Sequence, residues 1–343
     1  MDLRIRSLKA IAAGALLFAA VAVAVSLLGS AHSTGARQFF ADFIHSKDTA
    51  YRGGKTLRTK IEIQKKRRAL QASLLEEFSG NPEAFIRRIP KKERNFVFDA
   101  VVDGQTMMRV GRPADGGKWV CNPQSLEDHA VVYSFGVGED ISFDTDMAGL
   151  FGCQVYLFDP NPTVVEKFPS LESGYSCGAG RLFYSSIGLG PVSTEKGREW
   201  DLVIKGRTCV TKSLLDIARS LHHPRVDVLK IDIEGGEYSS LLEILSSGAL
   251  AALDVKMVLV EFHLWNAGLF GNFVGLVAAL AKEDYWLYRK EFNPTNIDCA
   301  EYAFVKSSFL DTNPNREPGH AKMPQESEPR PRSALTALVL NDR

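Results

Sequence analysis

The sequence predicts an α/β fold built on an open, doubly wound sheet, and three observations carry that prediction. From Val131 onward short apolar runs alternate with amphipathic stretches, as strands alternating with crossover helices require. One run, Val226 to Ile233, is apolar almost throughout, which suits a strand covered on both faces. The last two runs, Trp286 to Phe292 and Tyr302 to Val305, are joined by a loop and not by a helix, which predicts an antiparallel edge.

The elements follow in order. Val131 to Phe135 is a strand ending in Gly136-Val137-Gly138, with a helix over Ser142 to Phe151. Val155 to Phe158 is the second strand, stopped by Asp159-Pro160-Asn161-Pro162, and Arg181 to Ser185 is the third. Thr211 to Leu221 reads as a helix and Val226 to Ile233 as the fourth strand. Gly235-Gly236 then turns the chain into a helix over Glu237 to Ala252. Lys256 to Phe262 is the fifth strand, Gly271 to Lys282 a further helix, and the loop-joined pair completes a seven-stranded sheet.

Composition sets the flanks. The chain has 343 residues, 45% apolar and 24% charged, with Lys+Arg and Asp+Glu equal at 41, which excludes a disordered chain, a collagen and a polytopic membrane protein. Residues 1–9 carry Arg4, Arg6 and Lys9, and residues 10–28 carry no charge, a length that spans a bilayer core. The positive-inside tendency makes 1–9 a cytosolic tip, 10–28 a signal-anchor and the remainder lumenal or extracellular, a type II membrane protein. The alternative is a signal peptide cleaved near Gly29-Ser30-Ala31, giving a secreted chain; either way the body enters the secretory pathway.

Residues 29–106 read as a basic helical stem. Lys47 to Arg94 holds 14 bases against 6 acids, and Thr56 to Phe78 carries Lys65-Lys66-Arg67-Arg68, either a contact for anionic lipid or an acidic partner, or a solvated helix face. Residues 107–310 form the body. Between Val131 and Lys306 it holds 15 bases against 23 acids, which argues against a nucleic-acid partner. Residues 311–343, rich in Pro and charge, read as a disordered tail. The five cysteines show no CxxC pair and no His at finger spacing, so no structural zinc site is expected; one or two lumenal disulfides or buried thiols remain open.

In a doubly wound sheet ligands bind beyond the carboxyl ends of the strands, where four groups of residues fall. Ser134-Phe135-Gly136-Val137-Gly138 followed by Glu139-Asp140 is either a ligand-hugging turn or a plain strand-to-helix turn. Asp159 is spaced to accept ribose hydroxyls, or to close an Asx turn before Pro160. Ile141 stands where a dinucleotide turn wants its third glycine, which disfavours NAD. S-adenosylmethionine has no pyrophosphate and is cationic at sulfur, and it suits Glu139, Asp140 and Asp144 better.

The strongest signal is Lys230-Ile231-Asp232-Ile233-Glu234-Gly235-Gly236 with Glu261-Phe262-His263. Strand alternation puts Asp232 with Glu234, and Glu261 with His263, on shared sides at one rim. Such a cluster serves as general base for a substrate hydroxyl, with Asp232 or Glu234 first and His263 next, or binds the cofactor's amino group, or is purely structural. Alternatively it holds a divalent cation through Asp232, Glu234 and Glu261. Lys230 is their counter-charge, and His222-His223 lies at the other end of the sheet as surface.

The stretches VVYSFGVGEDISFD, VYLFDPNP, DVLKIDIEGGEYSSLLEIL and VLVEFH, with DGGKWVC before them, resemble the FkbM-like class I S-adenosylmethionine-dependent methyltransferases, among them methyltransferase-like protein 24 and its relatives, over residues 107 to 306. The resemblance implies a seven-stranded methyltransferase sheet. It places Ser134, Phe135, Gly136, Gly138 and Asp140 in the first cofactor motif, Asp159 at the ribose, Ser186 and Ile187 near the adenine edge, and Asp232 and Glu234 beside methyl transfer. The function expected is O-methylation of a small molecule or glycan. The alternatives are a membrane-tethered binding module that has lost catalysis and, further off, a nicotinamide-dependent oxidoreductase.

Overall fold

The computed structural model describes residues 57–310, with gaps between 90 and 99, at 103–105 and 114–115, between 162 and 173, at 192–199, 205–206 and 266, and between 294 and 297. The expected anchor at 10–28 and tail at 311–343 lie outside the described residues. Among the described residues no helix is long and apolar enough to cross a membrane.

The elements are α1 (Leu57–Gly80), α2 (Pro82–Arg88), β1 (Met107–Val110), β2 (Lys118–Cys121), β3 (Val131–Phe135), α3 (Ser142–Phe151), β4 (Gln154–Phe158), β5 (Tyr175–Cys177), β6 (Gly180–Ser185), β7 (Gly188–Leu189), β8 (Trp200–Ile204), β9 (Arg207–Lys212), α4 (Leu214–Ser220), β10 (Val228–Ile231), α5 (Glu237–Ser246), α6 (Ala249–Ala252), β11 (Met257–His263), α7 (Ala267–Lys282), β12 (Tyr285–Phe292), β13 (Cys299–Lys306) and α8 (Ser307–Leu310). The main sheet runs β12-β13-β11-β10-β3-β4-β6-β5. Strands β11, β10, β3, β4 and β6 are mutually parallel, and β13 and β12 add antiparallel on one side. The mixed α/β sheet with its antiparallel edge is the architecture that the alternating pattern predicts. Because the five central strands are parallel, Gly136, Asp159, Ser186, Asp232 and His263 all emerge at the same end.

The structure corrects several sequence expectations. The sheet has eight strands, since β5 pairs with β6 across a tight turn containing Gly178, whose φ is +58°. Thr211 and Lys212 extend in β9 instead of starting a helix, because Ser213 caps α4 by accepting from Asp216 N at 3.1 Å. The helix expected over Glu237 to Ala252 is broken at Gly248, at φ +70°. Two small pairings escaped the strand pattern, β1 with β2 and the β7-β9-β8 sheet. Of the two readings left open for the cysteines, the structure holds thiols and not disulfides, four of the five buried. His223 is half-buried, with Nδ1 2.7 Å from the Tyr133 hydroxyl.

Two apolar cores cover the two faces of the sheet, as strand alternation requires. Tyr133, Phe135, Leu229, Ile231, Val258, Val260 and Phe262 face one, packed against α4, α5 and α7. Val132, Val228, Met257, Leu259, Ala303 and Val305 face the other, under α3 and the β1–β2 hairpin. Residues upstream of 107 join in: Phe85 and Phe98 are 1% exposed within the first core. The basic run also touches the body, with the Arg68 guanidinium 4.7 Å from the Trp286 ring centre and Arg67 donating to Ala100 O.

Candidate active site

The glycine turn after β3 is held by the backbone of its neighbours and by two buried side chains, Lys230 and Asp159. Gly136 N donates to Phe158 O at 3.0 Å, Asp232 N to Phe135 O at 3.0 Å, and the buried Lys230 Nζ to Gly136 O at 2.7 Å. Gly136 has φ +75°, and a Cβ there would stand 1.5 Å from Asp232 O, so only glycine lets β3 and β10 end so close together. Gly138 has φ +59°, and the position its Cβ would take meets nothing within 4 Å, so the turn is closed at Gly136 and open at Gly138.

The other expected residues fall around this turn in distinct ways. Asp159, 7% exposed, accepts from Val137 N and Gly138 N through Oδ2, both at 3.0 Å, and from Asn161 N through Oδ1 at 2.8 Å. The Asx turn is therefore present, and the same carboxylate also braces the glycine turn. Ser134 and Phe135 are fully buried, so only their backbone can border a ligand. Asp140 Oδ1 accepts from Ser142 N, at the first residue of α3, at 2.8 Å. Ser186 is exposed and Ile187 half-buried, both beyond the end of β6. Asp144 is 1% exposed on α3, and burial raises its pKa against the pull of Lys230.

Beyond β10 and β11 lies the charged cluster. Lys118, 2% exposed on β2, sets its ammonium 3.0 Å from Asp232 Oδ2 and against Glu301 Oε1. Burial opposes the charge on Lys118, but Glu301, Asp232 and Glu261 outweigh it and hold its pKa well above the usual lysine range. Burial likewise opposes the charge on Asp232, and Lys118 and Lys230 overcome it, keeping that carboxyl below the usual range. Glu261 is pushed up to about 8, by burial first and then by the charges of Asp232 and Glu301. Glu301 is raised by burial, against the pull of Lys118.

Glu234 does not join this group. Strand β10 ends at Ile231, and Glu234 at φ +52° followed by Gly235 at φ +96° abandons the extended geometry, so alternation no longer pairs it with Asp232. Its side chain is 78% exposed, with Oε2 3.4 Å from His263 Nε2. The metal set Asp232, Glu234 and Glu261 is therefore not assembled; Glu301 stands in place of Glu234, with the Lys118 ammonium against it and Asp232. His263 is fixed from its other side. Glu237 Oε1 lies 3.1 Å from Nδ1 and accepts from the His263 backbone N at 3.0 Å. Burial works against the imidazolium, yet the hydrogen bond to Glu237 and the charges of Glu237, Glu261 and Glu234 raise its pKa to about 9.

Sequence reasoning missed Lys118, Glu237, Cys299 and Glu301. Glu301 and Cys299 had a signal: Cys299, Glu301, Ala303 and Val305 alternate, but the expected strand began at Tyr302 and cut them off. A strand as short as β2, four residues, left Lys118 without one.

A model of a methyltransferase domain matches residues 87–306. The chain belongs to that methyltransferase family. Methyl transfer is its chemistry and S-adenosylmethionine its methyl donor. Fibrillarin from Aeropyrum pernix, solved with natively bound S-adenosylmethionine, is 12% identical over 60% of this chain and 84% of its own, with a TM-score of 0.32. No curated protein matches the chain. The residues of this methyltransferase fit the donor: a side chain at Gly138 would meet nothing within 4 Å, so open space borders the bare backbone where the donor's cradle would lie, and the exposed Glu139 follows it.

Proposed function

We propose that this methyltransferase is FkbM-like, in the manner of methyltransferase-like protein 24, and methylates an oxygen of a small molecule or glycan. The observation that carries the reading is the contact between the glycine turn and the backbone of Asp232, which puts a carboxylate at the border of the donor's cradle. S-adenosylmethionine, when bound, supplies the sulfonium methyl. Backbone groups of Phe135 to Gly138 with Asp159 behind them hold one side of the site, and Ser186 and Ile187 border the other end of the cradle. Asp232, ionised beside Lys118 and with its side chain 20% exposed, accepts the acceptor hydroxyl's hydrogen bond and takes its proton as the oxygen is methylated. A weakly basic carboxylate suffices, since an alkylated hydroxyl is far more acidic than a carboxylic acid. Alignment of acceptor and methyl supplies most of the rest.

The test is transfer of a labelled methyl from S-adenosylmethionine by the full-length chain in detergent, offered extracts of small molecules and of released glycans. The expected product carries a label that resists mild alkali, as an ether does. Alkali-labile label, or label on protein nitrogen, overturns the oxygen-ether reading. Localisation belongs to the same proposal: 10–28 is a type II anchor, with the catalytic body lumenal or extracellular. In sealed microsomes the body should resist added protease until detergent is present, and digestion without detergent rejects that orientation.

A further inference from the structure

Strand β11 and strand β13 build a grid that methyl transfer does not use. Glu261 and His263 are two residues apart on β11 and share a face, and the antiparallel register sets Glu301 opposite Glu261 and Cys299 opposite His263. One end of this square is neutralised, since the Lys118 ammonium sits against Glu301 and Asp232. The other end holds a nitrogen and a sulfur ligand. A carboxylate oxygen of Glu261, a ring nitrogen of His263 and the sulfur of Cys299 lie within 4.8 Å of one another, and all three residues are buried. We propose that Glu261, His263 and Cys299 bind a zinc ion.

Three features favour zinc over other occupants. One sulfur, one imidazole and one carboxylate form a donor set suited to zinc; magnesium and calcium prefer oxygen alone. The carboxylate of Glu237 lies against His263 Nδ1, so Nδ1–H donates to it and the Nε2 lone pair is left for the metal; carboxylate-oriented histidines are the usual support of zinc ligands. Glu234, whose carboxylate is exposed and 3.4 Å from Nε2 but outside the three-ligand group, marks the side open to solvent, where water takes the fourth position. Charge also balances: a dication with one thiolate and one carboxylate is neutral, and binding expels the protons of the Cys299 thiol, the Glu261 carboxyl and His263 Nε2 to solvent. The absence of finger-type spacing is no obstacle, because cross-strand pairing, and not a short loop, brings the ligands together.

The experiment uses the full-length chain, loaded with zinc, dialysed against metal-free buffer and counted by inductively coupled plasma mass spectrometry. Roughly one zinc per chain is expected. Cys299→Ser and His263→Gln should each lower retained zinc more than tenfold, while Glu301→Gln, inside the grid but no ligand, retains it. Cobalt loading should give a thiolate-to-cobalt absorption band in the wild type and in Glu301→Gln, and none in Cys299→Ser. A measurement on the wild type alone covers the case of an unfolded variant: zinc should slow alkylation of Cys299 and leave Cys121 unaffected. Absence of retained zinc, zinc content unchanged by Cys299→Ser, or alkylation of Cys299 indifferent to zinc would each overturn the proposal.

Discussion

The two ends of β10 each carry an aspartate, buried at one end and half-buried at the other, and they are arranged to opposite effect. Asp227, just before the strand, is 1% exposed and fully satisfied: Lys256 Nζ lies 2.6 Å from Oδ1, and Oδ2 accepts from Val131 N at 2.8 Å with Arg225 Nε 3.7 Å away. There one acid has Lys256, a backbone N–H and a share of Arg225, whose other partner is Glu127. Asp232, just after the strand, shares the Lys118 ammonium with Glu301, has Glu261 beside it, and has Lys230 partly committed to Gly136 O. Burial of a carboxylate, whole or partial, is common to both ends, so burial alone does not mark chemistry. The surplus of acid over base at the carboxyl end does, because a balanced pair has nothing left to offer a substrate.

The largest expected effect lies at the surplus end. Asp232→Asn should lower methyl transfer by about 10²- to 10⁴-fold, read as initial rate with labelled donor, with a small change in melting temperature because Lys118 keeps Glu301. A rate within a few-fold of wild type would remove the distinction between the two ends. Next comes the balanced end. Asp227→Asn strands Lys256 and should cost about 3 kcal/mol, seen calorimetrically as a melting point about 10 °C lower, with the rate per folded molecule unchanged. If the rate fell with the stability, Asp227 too would belong to the functional machinery.

Asp159→Asn tests the glycine turn between them. It weakens acceptance from Val137 N and Gly138 N and should raise the Kd for S-adenosylmethionine by roughly fivefold to tenfold in calorimetric titration, whereas an unchanged Kd would make the brace irrelevant to the donor.

The smallest effect concerns His223, against the Tyr133 hydroxyl and near Tyr156 and His222. Burial, with help from His222, lowers its pKa in the fold, so the unfolded chain takes up the proton first as pH falls. Stability from this site is therefore complete above the unfolded value of about 6.5 and is lost as pH drops through that value toward the lower folded one. His223→Gln should flatten the melting temperature between about pH 5 and 7, and a slope equal to wild type would show that another group titrates there.

Much of the fold could be read from residues alone. Val131 to Phe135 and Lys256 to Phe262 announced themselves because a strand buried on both faces must be apolar throughout, and the final pair declared itself by the loop that joins it. The glycine turn was legible as well, because few residues other than glycine sit at positive φ without strain. The β1–β2 hairpin and the β7-β9-β8 sheet were not. Their strands run from two to six residues, too few for a period to declare itself.

The sequence by itself determined that acids collect near the carboxyl ends of two strands, since Asp232, Glu234, Glu261 and His263 stand at fixed offsets from apolar runs. Tertiary structure alone decided which of them meet. Positive φ at Glu234 turns it away toward His263, Lys118 arrives from a hairpin more than a hundred residues upstream, and the β11–β13 register brings Glu301 to Glu261 and Cys299 to His263. Offsets along one strand are set by covalent geometry and can be counted in the sequence. Pairings between strands are set by packing over the whole sheet, and no local pattern encodes them.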